Sequence, residues 1–337
     1  ILLKASDIHL DIAEYAAWVT LRIGTSITHR TSISHEVARS IVGRIKVLAR
    51  LRLDINDKSQ DGAFTFRHRD SGSGTETKAY IRVSTAPTVF GENIVCRVFS
   101  NNVDLFDLAQ IGLPAEEYEM LISALHKDSG LILVSGPTGS GKTTTLYACL
   151  RHLSLQSKVI VTLEDPVEVV IPNIRQIVVQ QEQGFGFAHA LRSVLRQDPD
   201  VIMVGEIRDK ETAELAIQAA LTGHLVLATI HAVSALGIID RLNSIGVKSD
   251  ACAQVINLLI SQRKIHMHDT DAGAKIIFEI VRFNQKFKSA LMFSEGAGSN
   301  SLAQTIREEG IMLLKDRVEN MFHEGLISKD EMNKYIR

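Results

Sequence analysis

Cysteine is scarce in this chain, and long apolar runs are absent. The 337 residues include only three cysteines, Cys96, Cys149 and Cys252, which lie far apart with no paired spacing. This usage fits a reducing compartment such as the cytosol, and it offers neither a disulfide framework nor a thiolate metal site. No apolar segment approaches the ~20 residues that a membrane-spanning helix needs. The sequence also has no internal repeat and no low-complexity tract.

The chain also lacks a dominant charge of either sign. Its formal net charge is -2, from 37 basic and 39 acidic residues, which argues against a large nucleic-acid-binding surface but leaves room for local basic stripes. The length is sufficient for two domains with separate cores. The sequence begins at Ile1 and shows no signal peptide, so we expect an N-terminally trimmed piece of a longer protein.

Short pieces of alternating polar and apolar residues fill the first hundred positions. The apolar residues Ile8, Leu10 and Ile12 alternate with polar neighbours, which predicts a first strand. Further strands are predicted over Trp18–Ile23, Tyr80–Ser84 and Asn93–Phe99. Residues 61–74, which are rich in glycine, serine and charge, are typical of hairpin loops. We therefore expect a small α+β domain over residues 1–99.

A helix is predicted over Ser34–Leu51, because its apolar positions fall on one face. The opposite face carries four basic residues, namely Arg39, Arg44, Lys46 and Arg50. These charges indicate either a solvated helix surface or a surface that faces phosphate or a partner, and the sequence leaves both interpretations open.

A short polar segment at residues 100–104 separates two differently patterned halves and is the best linker candidate. Pro114 then begins a helix at a favoured position. Beyond it, apolar strands alternate with helices, which predicts a mainly parallel sheet covered on both faces over residues 105–337. The predicted strands are Val159–Leu163, Ile177–Val179, Val201–Val204 and Leu225–Ile230, the predicted helices are Phe187–Arg196, Glu211–Leu221, Ala235–Leu242 and Ala251–Gln262, and two or three amphipathic helices are predicted over Leu302–Ile336.

The stretch Ser135–Thr144 reads S-G-P-T-G-S-G-K-T-T, follows the apolar run Leu131–Val134 and opens a predicted helix over Lys142–Leu153. A strand, a glycine-rich loop and a helix in this order are typical of a phosphate-binding P-loop. Small residues let backbone N–H groups turn inward around an anion, and the helix N-terminus adds partial positive charge. Lys142 can reach terminal phosphates, and the Thr143 hydroxyl can ligate Mg²⁺.

Acidic and histidine residues follow three further predicted strands. Glu164 comes after the strand 159–163, and Glu206 comes after the Walker-B-like strand 201–204, whose first acidic residue is glutamate. His224 and His231 bracket the next strand, with His231 at its carboxyl end. Because the carboxyl ends of parallel strands meet at one edge of a sheet, these side chains are expected near a nucleotide phosphate. A carboxylate there can orient water or hold Mg²⁺ through water.

The order of these motifs resembles the secretion ATPase family whose members power type II secretion and type IV pilus assembly (GspE/PilB-like). The motifs are G-P-T-G-S-G-K-T-T from Gly136, V-T-L-E-D-P-V-E from Val161, L-R-Q-D-P-D-V-I-M-V-G-E-I-R-D from Leu195 and T-G-H-L-V-L-A-T-I-H from Thr222. Upstream, A-S-D-I-H-L from Ala5 and V-S-T-A-P-T-V-F-G-E from Val83 resemble the family's second N-terminal, PAS-like domain. Downstream, S-Q-R from Ser261 and I-F-E-I from Ile277 resemble the segment after its core. The resemblance covers nearly the whole chain.

The resemblance implies a RecA-like P-loop NTPase core that binds ATP and Mg²⁺. Lys142 would lie on the β- and γ-phosphates, and Thr143 would lie on Mg²⁺. Glu164 would polarise the attacking water, while Glu206 would hold Mg²⁺ through water or share the base role, and the sequence does not separate the two glutamates. His231 would sense the γ-phosphate, and His224 would support that strand and bind nucleotide. The loop residues implied to bind nucleotide are Gly136, Pro137, Thr138, Gly139, Ser140, Gly141, Lys142, Thr143 and Thr144.

Family members are hexamers whose N-terminal domain delivers arginines to the bound phosphates. The resemblance implies such a catalytic role for Arg82 and Arg97, and Arg22 matches an arginine on the earlier strand. An arginine supplied to a transferred phosphoryl group can be worth roughly 10³–10⁵ in rate. The implied partners are an inner-membrane platform protein and its cytoplasmic adaptor, and no nucleic acid. We therefore expect a cytoplasmic homo-hexamer peripherally associated with the inner membrane.

The sequence departs from the family pattern at two places. The family usually has Q-D-G-R after the basic helix, whereas Ala63 stands here in place of the arginine. Arg67 or Arg69 could substitute for it. Assembly and secretion members also usually carry a four-cysteine zinc insertion, which is absent, so no zinc is expected. The histidine-bearing stretch in its place, with His266, His268 and Asp269, is either a solvated loop or an adventitious metal site.

Three functions remain in competition with a motor for pilin polymerisation or type II secretion. The first is a pilus-retraction ATPase, which shares the same core motifs. The second is a nucleotide-gated scaffold with little turnover, which the missing arginine at Ala63 keeps open. The third is a nucleic-acid motor, which the near-neutral charge disfavours.

Overall fold

The computed structural model describes residues 5–23, 26–69, 76–100, 106–179, 185–268, 274–292 and 298–335. The chain divides into two compact units, Ile1–Val103 with Glu168–Val170, and Asp104–Val167 with Ile171–Arg337. Positions 101–104 of the predicted linker lie outside the described residues, and Ser100 is the last residue of a strand. Within the described ranges, no helix is both long and apolar enough to cross a membrane.

Over its described residues, the first unit forms a six-stranded antiparallel sheet with one helix packed on it. Its elements are β1 (Asp7–Ile12), β2 (Ala17–Ile23), β3 (Ser26–Ile33), α1 (His35–Leu48), β4 (Gln60–Arg69), β5 (Glu76–Thr88) and β6 (Gly91–Ser100). The strands lie in the order β3-β2-β1-β6-β5-β4. Alternating apolar residues of the sheet, including Leu10, Val83 and Ile94, form a buried core with Ala38 of α1. The side chains between them in sequence therefore belong to the opposite face of the sheet.

Two expectations for this unit are wrong. Residues 61–69 form most of strand β4 rather than hairpin loops, and β4 pairs with β5 along its whole length. Gly62 serves a close approach, because a Cβ there would lie 2.5 Å from the Ala49 carbonyl oxygen. Lys46 is also not on a solvated face, since it is only 1% exposed and its ammonium pairs with Glu92 at 2.8 Å. Positions 70–74 of the predicted loop lie outside the described residues.

The second unit is built on a seven-stranded sheet. Its elements are α2 (Ala115–Leu125), β7 (Gly130–Ser135), α3 (Lys142–Ser154), β8 (Ile160–Glu164), β9 (Arg175–Val178), α4 (Phe187–Val194), β10 (Val201–Val204), α5 (Lys210–Leu221), β11 (Leu225–Ile230), α6 (Ala235–Ser244), α7 (Ser249–Val255), β12 (Ile256–His266), β13 (Ala274–Arg282), α8 (Gln285–Met292), α9 (Gly298–Glu308), α10 (Leu314–His323) and α11 (Lys329–Asn333). The strand order is β13-β12-β7-β11-β10-β8-β9. All neighbours are parallel except β12 and β13. Every residue of β7, β8, β10 and β11 is buried, which confirms the predicted sheet covered on both faces.

The predicted helix over Ala251–Gln262 is wrong. Helix α7 ends at Val255, and the chain continues as strand β12 between β7 and β13. The apolar residues Ile256, Leu258, Leu259 and Ile260 fit a buried strand as well as a buried helix, so periodicity alone cannot separate the two. This strand is important for the site, because it places Gln262 beside the P-loop.

A buried carboxylate connects the C-terminal helices to the sheet. Glu279 on β13 accepts the Ala235 N–H at the start of α6 at 2.7 Å and the Leu314 N–H at the start of α10 at 2.9 Å. Burial raises the pKa of Glu279, and the two backbone hydrogen bonds offset only part of that rise. The predicted amphipathic helices of the tail are confirmed as α9, α10 and α11.

Candidate nucleotide-binding site

The P-loop joins the carboxyl end of β7 to the first turn of α3. Gly136 has φ +147°, and a Cβ there would collide with the Gln262 carbonyl oxygen. Gly141 has φ +91° and is the N-cap of α3. Both positions therefore need glycine. Pro137 to Gly139 and the first-turn residues Thr143 and Thr144 are exposed, so the loop presents an open surface at a helix N-terminus.

Lys142 lies over this loop. Its ammonium donates to the Gly136 carbonyl at 2.8 Å and to the Pro137 carbonyl at 3.1 Å. Burial lowers the pKa of Lys142, the negative charge of Glu206 acts against that change, and Arg263 adds to it. The lysine of the P-loop and Glu206, which lies two residues beyond the end of β10, therefore share one electrostatic environment.

Glu206 lies at the carboxyl edge of the sheet between two basic side chains. Its Oε1 is 2.8 Å from Nε2 of His231, and its Oε2 is 2.7 Å from Nη2 of Arg208. The Glu206 side chain is 16% exposed, so its carboxylate remains accessible at the edge. The hydrogen bond from Arg208 to Glu206 raises the pKa of Arg208. Sequence reasoning quoted Arg208 within its motif but gave it no role.

Glu164 has a different environment, although it also ends a neighbouring strand. It is 3% exposed, and its carboxylate accepts hydrogen bonds from the Tyr147 hydroxyl, from Thr162 Oγ1 at 2.6 Å and from Gln176 Nε2 at 3.0 Å. Its oxygens are thus engaged within the protein interior. The structure distinguishes the two glutamates that the sequence could not separate.

His224 does not lie with these residues, and its part in binding nucleotide stays a prediction. It precedes the amino end of β11, whereas the P-loop follows the carboxyl end of the parallel neighbour β7. Six strand residues of about 3.3 Å each separate the two ends. His224 Nδ1 instead lies 3.0 Å from the Ala219 carbonyl at the end of α5, and its own carbonyl accepts the Gly130 N–H.

The three arginines of the first unit form one row across its sheet. Asp7 on β1 pairs directly with Arg22 on β2 and with Arg97 on β6. Arg97 in turn pairs directly with Arg82 on β5. Residues that are directly opposite each other share a face, and this face is the one away from α1. Arg97 Nε donates to Asp7 at 2.9 Å, and Arg22 Nε lies 3.8 Å from the same carboxylate. Sequence reasoning quoted Asp7 only as part of a motif, because its pairing depends on strand register.

The row continues to the position of the missing arginine. Ala63 on β4 pairs directly with Arg82 on β5. Arg82 itself lies 3.2 Å from Glu168. Arg67 is four residues along β4 from Ala63, about 13 Å away in a strand, so it does not occupy the row. The side chain of Arg69 lies outside the described residues.

Among the side chains that the structure describes, no cluster of three or more histidine, cysteine, aspartate or glutamate residues could hold a metal. His266 is the last residue of β12 and His268 follows it, while Asp269 lies outside the described residues. The absence of zinc therefore stays a prediction. Oxygen donors for Mg²⁺ are available at the P-loop in the Thr143 hydroxyl and the Glu206 carboxylate.

The sheet order, the P-loop after β7 and the acidic strand end at Glu206 define a RecA-like P-loop nucleotide-binding protein. The chain belongs to the type II/IV secretion system protein family, whose model matches residues 1–334. The resemblance seen in the sequence motifs is thereby confirmed, as is the predicted fold.

Named relatives and a solved structure agree with this assignment. The type II secretion system protein E of Xanthomonas campestris pv. campestris is 40% identical over 285 residues, which is 84% of this chain and 49% of that protein. The type II secretion system ATPase E of Vibrio cholerae is 38% identical over 261 residues, 77% of this chain and 51% of that protein. The structure of the pilus retraction motor PilT with bound ADP has a TM-score of 0.76 at 28% identity, covering 99% of this chain and 94% of that one. The chain spans about half the length of the curated relatives it matches.

Proposed function

We propose that this chain is the ATP-hydrolysing part of a motor for type II secretion or type IV pilus assembly. The observation that carries the proposal is the convergence of Lys142, Glu206 and His231 at one edge of a RecA-like sheet. The names of relatives support it, because one is a type II secretion system ATPase and another is a pilus motor solved with ADP.

The loop from Gly136 to Thr144 would hold the phosphates through its backbone N–H groups and the N-terminus of α3. Lys142, which now donates to loop carbonyls, would donate to oxygens of the β- and γ-phosphates. Mg²⁺, when bound by the Thr143 hydroxyl and through water by Glu206, would offset negative charge on the phosphates. His231 would sense the γ-phosphate through its contact with Glu206.

We assign the base role to Glu206 rather than Glu164. The Glu206 carboxylate is partly exposed at the carboxyl edge of the sheet and is oriented by His231 and Arg208. The carboxylate of Glu164 is buried and accepts hydrogen bonds from three donors. Water would attack the γ-phosphorus while its proton passes to Glu206. The bond from that phosphorus to the bridging oxygen would break, and its electron pair would leave with ADP. Glu164 would support the strand ends from within.

A phosphate-release assay with matched glutamate variants tests this assignment. Lys142→Ala should abolish release, and Glu206→Gln should lower kcat by about 10²–10⁴, the usual contribution of general acid–base catalysis. Glu164→Gln, which keeps one acceptor oxygen for its three donors, should lower kcat much less. A Lys142→Ala variant that binds and hydrolyses ATP like the parent would overturn the proposed function. Equal losses in the two glutamine variants would overturn the choice of base.

The arginine row supplies the second part of the proposal. We propose that Arg82, Arg97 and Arg22 lie on a domain comprising residues 1–99, joined by a linker at 100–104 to the ATPase domain at 105–337. In a homo-hexamer these arginines would reach bound phosphates and thus couple nucleotide state to domain position. The motor would act on an inner-membrane platform protein and its cytoplasmic adaptor, at the cytoplasmic side of that membrane and without nucleic acid.

Two alternatives have specific observations in their favour. The similarity to the retraction motor PilT supports a retraction ATPase, but the higher identity to type II secretion proteins favours secretion or assembly. Gene deletion separates them, since loss of pili or secretion indicates assembly and excess pili without motility indicates retraction. Ala63 in the arginine row favours a scaffold with little turnover, for which phosphate release would be equally negligible in the parent and in Glu206→Gln.

A further inference from the structure

A buried glutamine on strand β12 contacts the P-loop from the side. Strands β12 and β7 are parallel neighbours, and Ser261 pairs with Ser135, the residue before the loop. The next residue, Gln262, is 0% exposed. Its Nε2 donates to the Ser140 carbonyl at 2.6 Å, and its Oε1 accepts the Thr145 hydroxyl at 3.0 Å. One side-chain amide thus joins the loop to the first turn of α3.

The bond to Ser140 fixes the orientation of one peptide plane in the loop. In a planar trans peptide the C=O and the N–H point in opposite directions. Because the Ser140 carbonyl points at Gln262, the N–H of Gly141 points away from Gln262 and from β12. A phosphate nest requires loop N–H groups to turn toward the anion. Gln262 therefore fixes the direction of the Gly141 N–H, one of the loop donors available to a phosphate.

The bond to Thr145 fixes the turn that carries the reactive side chains. Thr145 lies three residues after Lys142 and two after Thr143, and its N–H bonds to the Gly141 carbonyl at 3.0 Å. A shift of this turn would move the lysine and the hydroxyl together. The loop also packs closely on Gln262, since a Cβ at Gly141 would lie 3.2 Å from Nε2.

We propose that Gln262 is a positioning residue for phosphate binding, acting through Ser140 and Thr145 and not through contact with the nucleotide. This inference rests on the proposed function, because it concerns the same site. Without the amide, the Ser140 carbonyl would be buried without its donor, and the loop would turn that peptide to find another. We expect nucleotide affinity to fall roughly tenfold or more, which matches the cost of an unsatisfied buried group.

The same two strands provide a matched control at their other end. Asn257 on β12 is also buried, donates to the Ser129 carbonyl at 2.8 Å and accepts from Lys127 at 2.8 Å. It lies beside Gly130 at the amino end of β7, away from the loop. Replacing it removes two hydrogen bonds of a buried amide on β12, to Ser129 and Lys127, without touching the P-loop.

The test compares Gln262→Met, Gln262→Glu and Asn257→Leu for binding of Mg·ADP, for ATP KM and kcat, and for melting temperature. The methionine and leucine variants keep approximate volume but lose hydrogen bonding, while the glutamate variant keeps an acceptor for Thr145 and loses the donor to Ser140. We expect both Gln262 variants to raise the Kd for Mg·ADP and the KM for ATP about tenfold or more. Asn257→Leu should lower the melting temperature but keep the Kd within about twofold.

Each outcome bears on the proposal. If Gln262→Met and Asn257→Leu both lower the melting temperature and both keep the parental Kd for Mg·ADP, Gln262 has only a structural role and the inference fails. If Gln262→Met does not fold, Gln262→Glu decides, since a parental Kd in that variant also refutes it. A parent chain that binds no Mg·ADP would instead refute the proposed function itself, and the inference would fall with it.

Discussion

The buried ion pair between α1 and β6 allows a quantitative stability prediction. Lys46 Nζ lies 2.8 and 3.0 Å from the two Glu92 oxygens, and it also donates to the Ile55 carbonyl and to Asn56 Oδ1. The two side chains are only 2% and 7% exposed. Glu92→Ala would leave a buried ammonium with two neutral acceptors. We therefore expect the free energy of unfolding of the first unit to fall by about 3–5 kcal/mol.

Removing both charges should restore about half of this loss. In Lys46→Met/Glu92→Leu no uncompensated charge remains, and the Ile55 carbonyl still accepts from Gln60 Nε2 at 2.9 Å. The Ile55 carbonyl loses one of its two donors and the Asn56 oxygen loses its donor from Lys46, so we expect the double variant to lie about 1–3 kcal/mol below the parent. The exposed pair between Arg52 and Asp54 is the surface control, and Asp54→Ala should leave the unfolding curve nearly unchanged.

Urea unfolding followed by tryptophan fluorescence measures the change in unfolding free energy of the first compact unit. Trp18 is the single tryptophan of the chain. It lies on β2 with the Arg30 guanidinium 4.1 Å from its ring centroid, so its emission reports on this sheet. A loss below about 1 kcal/mol for Glu92→Ala would refute the reasoning, because only an exposed pair is worth so little. A double variant as unstable as Glu92→Ala would refute it as well.

Three further predictions concern the change in stability as pH falls, the change in stability as pH rises, and the arginine row. Burial raises the pKa of Asp7, but hydrogen bonds from Arg97 and Ser6 outweigh this effect and leave the pKa lowered. The stabilisation that ionised Asp7 contributes is therefore present above the unfolded pKa and lost as pH falls. The difference in unfolding free energy between the parent and Asp7→Asn, measured by tryptophan fluorescence, should shrink below about pH 4. Burial raises the pKa of Glu279, so the stabilisation from its protonated form is complete below the unfolded pKa and is lost as pH rises through the raised value. Hydrogen exchange of α10 should show a loss of protection with rising pH in the parent and a smaller loss in Glu279→Gln. The same pH dependence of protection in both proteins would contradict this prediction. Ala63→Arg should raise the rate of phosphate release above that of the size control Ala63→Met, and equal rates would contradict a role for that position.

Much of the second unit could be predicted, because its signals are local. A buried parallel strand is a short continuous apolar run, and the predicted bounds of Val201–Val204 and Leu225–Ile230 are those of β10 and β11. The P-loop with its flanking strand and helix is confirmed for the same reason. The prediction failed at Ile256–His266, where a run of apolar residues fits helix and strand equally.

The finer features of the site depend on contacts between distant positions. Glu164 and Glu206 read alike in sequence, and only the donors Tyr147 and Gln176 make the first an interior group. The role of Gln262 depends on β12 being the neighbour of β7. The two histidines that bracket β11 lie at opposite ends of that strand, so the structure brings His231 and not His224 to Glu206.

The arginine row has an electrostatic balance that bears on the substitution at Ala63. Neighbouring strands lie about 4.8 Å apart, so the directly paired Arg97 and Arg82 repel each other unless carboxylates are near. Asp7 compensates Arg97 and Arg22, and Glu168 compensates Arg82. An arginine at Ala63 would add a further cation beside Arg82 without a carboxylate of its own in this row. A bound phosphate would stabilise such an uncompensated cation most. The absence of an arginine at this position should therefore weaken binding of a phosphate more than it changes the stability of the sheet.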